Sequence, residues 1–360
     1  VPPPSQLVPP LLAWFRVNAR DLPWRRTRDP YAIWIAEIML QQTQVKTVRP
    51  YWERWLREVP TVADLAAAAP DRVLKLWEGL GYYRRARHLH SAAQVIVSRH
   101  RGRVPHEFDE LLTLPGIGRY TAGAIASIAF DQPRPILDGN VIRVLTRLFG
   151  IRENPRLRSV NDQLWHLADE LVAAAHARPG ADNCSHLNQG LMELGALVCT
   201  PRRPDCAACP WRRHCVARRE GSVDRLPNLG ARPATTVRHF FVFLMARGNR
   251  WLVHQRPADA VNAHLWEFPN REVDNAHAEP TEVAAELLGR KPASLQRLGR
   301  VRGTITRYRM LFDVFRVTLP ASARVQRQSG QWKDRVDLEA LAFSSAHRRI
   351  LRLLDRETDG

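Results

Sequence analysis

Two carboxylates in unlike surroundings carry the first chemical signal. Glu37 lies inside an apolar helical stretch, IWIAEIML, where loss of water raises a carboxyl's pKa and keeps it protonated. Asp138 sits on a short turn, I-L-D-G-N, just ahead of a helix whose N-terminus favours the ionised form. One protonated and one ionised carboxyl make the pair that breaks a glycosidic bond through an oxocarbenium-like transition state. Each also has a plainer use, Asp138 as a helix cap and Glu37 as a paired core acid.

Cys199, Cys206, Cys209 and Cys215 form C-x6-C-x2-C-x5-C. Four soft thiolates so close together can wrap one metal centre, and spacing alone leaves iron–sulfur and zinc both open. Arg202, Arg203, Arg212 and Arg213 make the same loop basic and suited to phosphates. Cys184, left over, reads as a small buried residue. A third feature, LTLPGIGRYTAGAIASIAF (112–130), sets Gly116 and Gly118 between two helical stretches. These glycines permit a tight turn whose N–H groups approach a phosphate at the next helix's N-terminus. The pattern reads as a helix–hairpin–helix that grips backbone without reading bases.

The elements holding these groups fall into two classes. Up to about residue 225, stretches such as LLAWFRVNAR, DPYAIWIAEIMLQQTQVKTVRPYWERWL, RVLKLWEGL, RRARHLHSAAQVIVSRH and SVNDQLWHLADELVAAAHA carry apolar residues at helical spacing. Val141 to Phe149 is a further short helix, closed by Gly150. Residues 217–236 lose periodicity and gather Arg, Gly and Pro, as a linker does. Beyond them HFFVFLMARG, RWLVHQRP and TRYRMLFDVFRVTL read as strands, with helical patterns at Glu282–Gly289 and Asp337–Leu354. We therefore expect an all-α region over 1–216, with its hairpin at 112–130 and cysteine loop at 199–215, then a linker, then an α+β domain over 237–360.

Lys and Arg number 54 against 36 Asp and Glu, a net charge of +18, which favours a polyanionic partner, nucleic acid first. No run reaches the roughly 20 apolar residues of a membrane span, and VPPPSQLVPPLL lacks the plan of a signal peptide. Few, clustered cysteines point to a reducing interior, cytoplasm or nucleoid, rather than to a disulfide framework.

EIMLQQTQV (37–45), GLGYYRRAR (79–87), LPGIGRYTAG (114–123), ILDGNVIRVLTRL (136–148) and the four cysteines follow the order found in adenine DNA glycosylases of the MutY type. The chain thus resembles that family, part of the helix–hairpin–helix glycosylase superfamily that includes endonuclease III. The resemblance implies a 4Fe-4S cluster on the cysteines. It implies that Glu37 protonates a ring nitrogen of adenine and that Asp138 stabilises the sugar cation. Asn140 and Tyr120 would orient these acids or the attacking water. Leu40, Gln42 and Tyr82 would fill the stack around an oxidised guanine, and Arg25 and Gln189 would line the adenine pocket. The implied partner is double-stranded DNA holding adenine opposite 8-oxoguanine or guanine, met by a monomer.

Glycosylase/lyase relatives carry a lysine at the position of Tyr120, and its amine attacks the sugar as a Schiff-base nucleophile. A phenol forms no imine, so strand cleavage should be absent or incidental. Residues 237–354 resemble the family's Nudix-like domain, most clearly at LWEFPN (265–270), where Asn270 and Arg271 replace the usual glycines. EPTEVAAELLGR (279–290) lacks the carboxylate pattern that holds magnesium in a Nudix hydrolase, so the domain should read lesions, not cleave nucleotides. The family's Phe-Ser-His reader is here Ile305-Thr306-Arg307, with Arg307 or Tyr308 left to probe the base and discrimination for 8-oxoguanine expected to change. Two rivals stay open: a bifunctional glycosylase/lyase and a lesion-binding homologue without catalysis.

Overall fold

The computed structural model describes residues 1–231, 234–274, 278–289, 291–305, 307–319 and 330–355. Along the chain the helices are α1 (Pro4–Asn18), α2 (Pro30–Leu40), α3 (Val45–Glu58), α4 (Val62–Ala67), α5 (Pro70–Leu76) and α6 (Arg84–Arg99). They continue with α7 (Phe108–Leu112), α8 (Arg119–Phe130), α9 (Gly139–Phe149), α10 (Arg158–His176), α11 (Asn183–Leu197) and the short α12 (Val216–Arg219). Strands β1 (Thr236–Arg247), β2 (Arg250–Gln255), β3 (Trp266–Glu267) and β4 (Asn270–Val273) precede α13 (Pro280–Leu288). Then come β5 (Ser294–Ile305), β6 (Tyr308–Thr318), β7 (Gln331–Lys333), α14 (Arg335–Ala340) and α15 (Ser345–Asp355). Two compact units result, one of residues 1–67 with 91–232, the other of 68–90 with 233–360. The second therefore takes in 68–90, a segment far outside the 217–236 boundary expected from composition.

In the first unit α2 is buried from Tyr31 to Met39, as its apolar sequence demands. Asp29 caps it, accepting from Tyr31 N (3.0 Å) and Ala32 N (3.3 Å). The long helical pattern through residues 29–56 is broken after Leu40, because Gln42 takes a left-handed backbone (φ 57°) before α3 restarts. Trp52 Nε1 then donates to Ala32 O (2.9 Å), tying α3 back onto α2. Between α7 and α8 the chain turns at Gly116 (φ 78°), and α8 presents Thr121, Ala122, Gly123 and Ala124 inward. Gly123 is obligatory: a Cβ there would lie 2.2 Å from Pro135 O, on the segment leading into Asp138. Gly150 (φ 72°) closes α9 as its position foretold.

In the second unit the sheet runs β3-β2-β1-β6-β5, with β4 paired to β1 and β7 to β2. Among the described strands only β1 and β6 pair in parallel; the other pairs are antiparallel. The apolar run of β1 is explained by burial on both faces. Val242 and Leu244 join one core with Leu338, Ile350 and Leu351, while Phe241, Phe243 and Met245 join another with Ala284. The helical pattern expected over 337–354 divides into α14 and α15. Among the described residues no helix is long and apolar enough to cross a membrane.

Glu267, in the LWEFPN stretch, is a buried charge of this unit, as is Asp313. Burial would raise its carboxyl, but the hydrogen bond from His254 (2.8 Å) and the nearby His347 and Arg256 outweigh it and hold it at about 2. Burial pushes His347 down to about 4, so the permanent positive charge on Glu267 is Arg256. Replacing Glu267 by Ala strands these partners and should cost about 3 kcal/mol in urea unfolding of this unit. The pH dependence follows from the signs. Below pH 6.5 the unfolded chain takes up a proton that folded His347 refuses down to about 4. Below 4.5 it also protonates Glu267, which the fold keeps ionised to about 2. The unfolding midpoint should therefore fall progressively on acidification from about pH 6.5.

Candidate active site

A cleft of about 870 Å³ in the first unit gathers Arg25, Glu37, Leu40, Gln42, Tyr120, Asp138, Asn140 and Gln189. Residues from five separate sequence stretches thus meet in one place. Glu37 is 5% exposed, and Tyr120 Oη donates to its Oε2 (2.7 Å). Burial raises the Glu37 carboxyl to about 7; the Tyr120 bond and Arg25 pull it down, Asp138 pushes it up. With Oε2 engaged by the phenol, Oε1 is the oxygen left to carry the acid's proton.

Asp138 caps α9, with Oδ1 accepting from Val141 N and Oδ2 from Asn140 Nδ2, both at 2.8 Å. The donors at the helix N-terminus favour the ionised form, as expected, while burial is the larger effect and raises the carboxyl's pKa overall. Both of its hydrogen bonds nevertheless come from donors, the arrangement that suits a carboxylate.

Gln189 is buried and donates through Nε2 to Ser185 Oγ (3.0 Å), which directs its amide along α11. Arg25 is fixed by Arg20 O (3.1 Å) and by Glu193 Oε2 (2.9 Å), and lies 5.4 Å from the centre of the Phe15 ring. Glu193, absent from the sequence-derived site, is the anchor of this wall. Burial pushes its carboxyl up, but Arg20 (2.7 and 2.8 Å) and Arg25 win and hold it at about 2. The signal was available: an acid in an apolar helix, one turn after Gln189.

Gly195 was also missed. A Cβ there would fall 2.6 Å from Asn140 Cβ, so α11 approaches the α9 N-terminus only because residue 195 has no side chain. Arg143 bridges the two helices, donating to Asn140 Oδ1 (2.8 Å), Gly195 O (2.8 Å) and Cys199 O (2.7 Å).

The four cysteines line one small cavity with Arg147. No three His, Cys, Asp or Glu among the described residues converge as they would on a single metal ion. Four cysteines around one cavity are a donor set that fits either a zinc ion or an iron–sulfur cluster. Burial raises the thiols of Cys206, Cys209 (to about 12) and Cys215. Arg147 NH1 reaches Cys199 Sγ (3.3 Å) and Thr200 O (2.8 Å), and Trp211 Nε1 ties the loop to Leu7 O (2.8 Å).

The remaining predicted residues lie outside the cleft. Gly118 opens α8 at the hairpin with ordinary extended φ and free space where a Cβ would stand. Tyr82 (φ 48°) and the pair Ile305–Tyr308 belong to the second unit, and Thr306 lies outside the described residues. Arg307 NH2 donates to Tyr308 Oη (3.0 Å), with the guanidinium 5.1 Å from the ring centre.

Residues 35–170 match the HhH-GPD superfamily of base excision DNA repair proteins, and residues 241–353 match the NUDIX domain. Over 97% of its length the chain is 35% identical to the adenine DNA glycosylase of Rattus norvegicus, spanning 78% of that protein. It is 34% identical to that of Homo sapiens, over 97% of this chain and 74% of the human one. Among solved structures, a thermostable thymine-DNA glycosylase is similar at 31% identity and TM-score 0.54, over 60% of this chain and 97% of that one. A non-covalent endonuclease III–DNA complex shares the fold at 22% identity and TM-score 0.51, over 61% of this chain and 99% of that one.

Gly195→Ala offers a test of the site's packing. In most helices the change gains up to about 1 kcal/mol; here the clash with Asn140 should instead cost about 1–3 kcal/mol. The thermal midpoint and the single-turnover rate of base excision should fall together, since Asn140 orients Asp138.

Proposed function

The chain belongs to the adenine DNA glycosylases, DNA-binding hydrolases of base excision repair, and from that membership we propose that it excises adenine mispaired with 8-oxoguanine or guanine, without cutting the strand. The observation that carries this is the pairing, in one cleft, of a buried Glu37 with pKa about 7 and a donor-bound Asp138. An adenine flipped from the duplex, at a cost of a few kcal/mol, would enter between them. Glu37 passes its proton to a ring nitrogen of the base, so the electrons of the sugar–base bond pass to a cationic base that departs as neutral adenine. Asp138, held by Asn140 and Val141 N, faces the positive charge left on the sugar until water adds. Tyr120 keeps Glu37 in place. Gln189 supplies an amide and Arg25 a guanidinium for the edge of the adenine.

Cys199, Cys206, Cys209 and Cys215 would hold a 4Fe-4S cluster, which when bound ties a basic loop at four points. Thiolate ligands of this kind suit the reducing interior of a cell. Tyr120 offers no amine, so no Schiff base forms with the sugar. In the second unit, Arg238 lies 5.3 Å from the Tyr308 ring on the side of β1, and Arg307 bonds its hydroxyl. The reader is then a phenol held by arginine, and preference for 8-oxoguanine over guanine is reduced relative to a Phe-Ser-His loop.

Excision should follow the protonated form of Glu37, with kcat/KM falling as pH rises through about 7. Glu37→Gln should slow single-turnover excision by about 10²- to 10⁴-fold; a flat pH profile or an unaffected variant would remove the acid role. Strands should break only after alkali, and borohydride should trap no protein–DNA adduct. Arg307→Ala should narrow the affinity difference between 8-oxoguanine and guanine duplexes. If that difference is as large as in relatives with Phe-Ser-His and unmoved by the substitution, a Tyr308 phenol held by Arg307 is not the reader.

A further inference from the structure

Residues 68–90 lie within the stretch that matches the HhH-GPD superfamily, yet they pack in the second compact unit with residues 233–360. They include Tyr82, at the turn between α5 and α6, 47% exposed and left-handed at φ 48°. Such a backbone state in a bulky residue is costly and persists only where its surroundings over-determine it. Those surroundings are specific. Trp77 Nε1 donates to Gly81 O (2.9 Å), and Arg85 NH2 donates to Leu80 O (3.3 Å) and Gly81 O (3.2 Å). The same guanidinium lies 5.1 Å from the Trp77 ring centre and 5.6 Å from that of Tyr82.

One layer further in, the turn is fastened to the end of the chain. Glu78 Oε1 accepts from Phe343 N and from Arg348 Nε, both at 2.9 Å. Lys75 Nζ joins Glu78 Oε2 (2.9 Å) to Leu341 O (3.1 Å), and Tyr83 Oη donates to Phe343 O (3.1 Å). The side chains of Arg348 and Glu78 are only 13% and 15% exposed, so salt screens their attraction little.

We propose that Glu78 and Arg348 are positioning residues for Tyr82: the C-terminal unit holds the turn from which Tyr82 stacks on the base opposite the target adenine. The inference rests on the stacking role read for Tyr82. It makes lesion affinity depend on this unit by a second route besides the loop at Arg307 and Tyr308. Neither Glu78 nor Arg348 touches DNA in this account; each acts through the backbone of residues 79–83.

The test is a double-mutant cycle on the full-length protein, reading equilibrium binding to a duplex with 8-oxoguanine opposite a non-cleavable adenine analogue. Tyr82→Ala should weaken binding about ten- to a hundredfold, the worth of one base–aromatic stack. Arg348→Met should weaken it severalfold, and the double variant should bind no worse than Tyr82→Ala alone. Losses that multiply would overturn the inference. An unchanged affinity for Tyr82→Ala would instead remove the stacking role on which it stands. Tyr83→Phe, which keeps the ring but removes the hydroxyl that donates to Phe343 O and accepts from Gly79 N (3.2 Å), guards against misfolding. At an unaltered thermal midpoint it should show a smaller loss that also vanishes in the Tyr82→Ala background, and additivity there would equally sink the idea.

Discussion

A single buried guanidinium holds the two chemistries of the first unit in register. Arg143 projects from the middle of α9 and meets the Asn140 side chain, the Gly195 carbonyl and the Cys199 carbonyl at 2.7–2.8 Å. Each acceptor belongs to a different part of the site: the Asp138 cap, the helix bearing Gln189 and Glu193, and the first residue of the cysteine loop. Five N–H donors in a fixed plane suit such a junction, which a flexible ammonium would serve less well. One turn further along α9, Arg147 repeats the pattern on Cys199 and Thr200. Both arginines of α9 are therefore core residues, and a reading of the helix that sends every charge to solvent would assign them to the wrong face.

Burial by itself does not decide what a carboxyl in this protein does. Glu37 and Glu193 are both buried in apolar helices that face the same cleft. Glu37 has a neutral phenol as its closest partner and is raised to about 7. Glu193 has two guanidiniums in contact and is held at about 2. The first can give a proton near neutrality; the second can only anchor. Asp138 stands between them, raised by burial while accepting two hydrogen bonds. Role follows from the charge of the nearest donor, since the desolvation cost is common to all three.

How much of this was legible beforehand depends on the range over which each constraint acts. Glu37, Asp138 and the cysteines stood out because their signals are local: an acid in an apolar run, an acid before a helix, a spacing. The burial that raises the Asp138 carboxyl had no local signal, because its depth comes from packing that no short motif reports. Glu193 and Gly195 had local signals, yet their meaning lies in Arg20 and Asn140, each more than fifty positions away in sequence. Strand β5 was overlooked because SLQRLGRVRGTI faces solvent at many positions and owes its order to pairing with β6. The membership of residues 68–90 in the second unit has no local signature at all. Ordinary helical periodicity describes α5 and α6 equally well in either place.

Backbone strain links the residues assigned to the DNA stack. Among the described residues eight non-glycines have positive φ, and Gln42 and Tyr82 are two of them. Gln42 follows the last turn of α2, the helix that carries Glu37; Tyr82 precedes the first turn of α6. A left-handed residue at a helix end points the side chain out of line with its helix, toward whatever lies beyond. For Gln42 the cost is borne by a helix buried along nearly its whole length, which cannot slide to relieve it. For Tyr82 it is borne by the carbonyls of Leu80 and Gly81, pinned from Arg85 and Trp77. Glycine at either place would relax the backbone and also remove the side chain that the turn presents, so the geometry of each turn and the identity of its side chain are tied together.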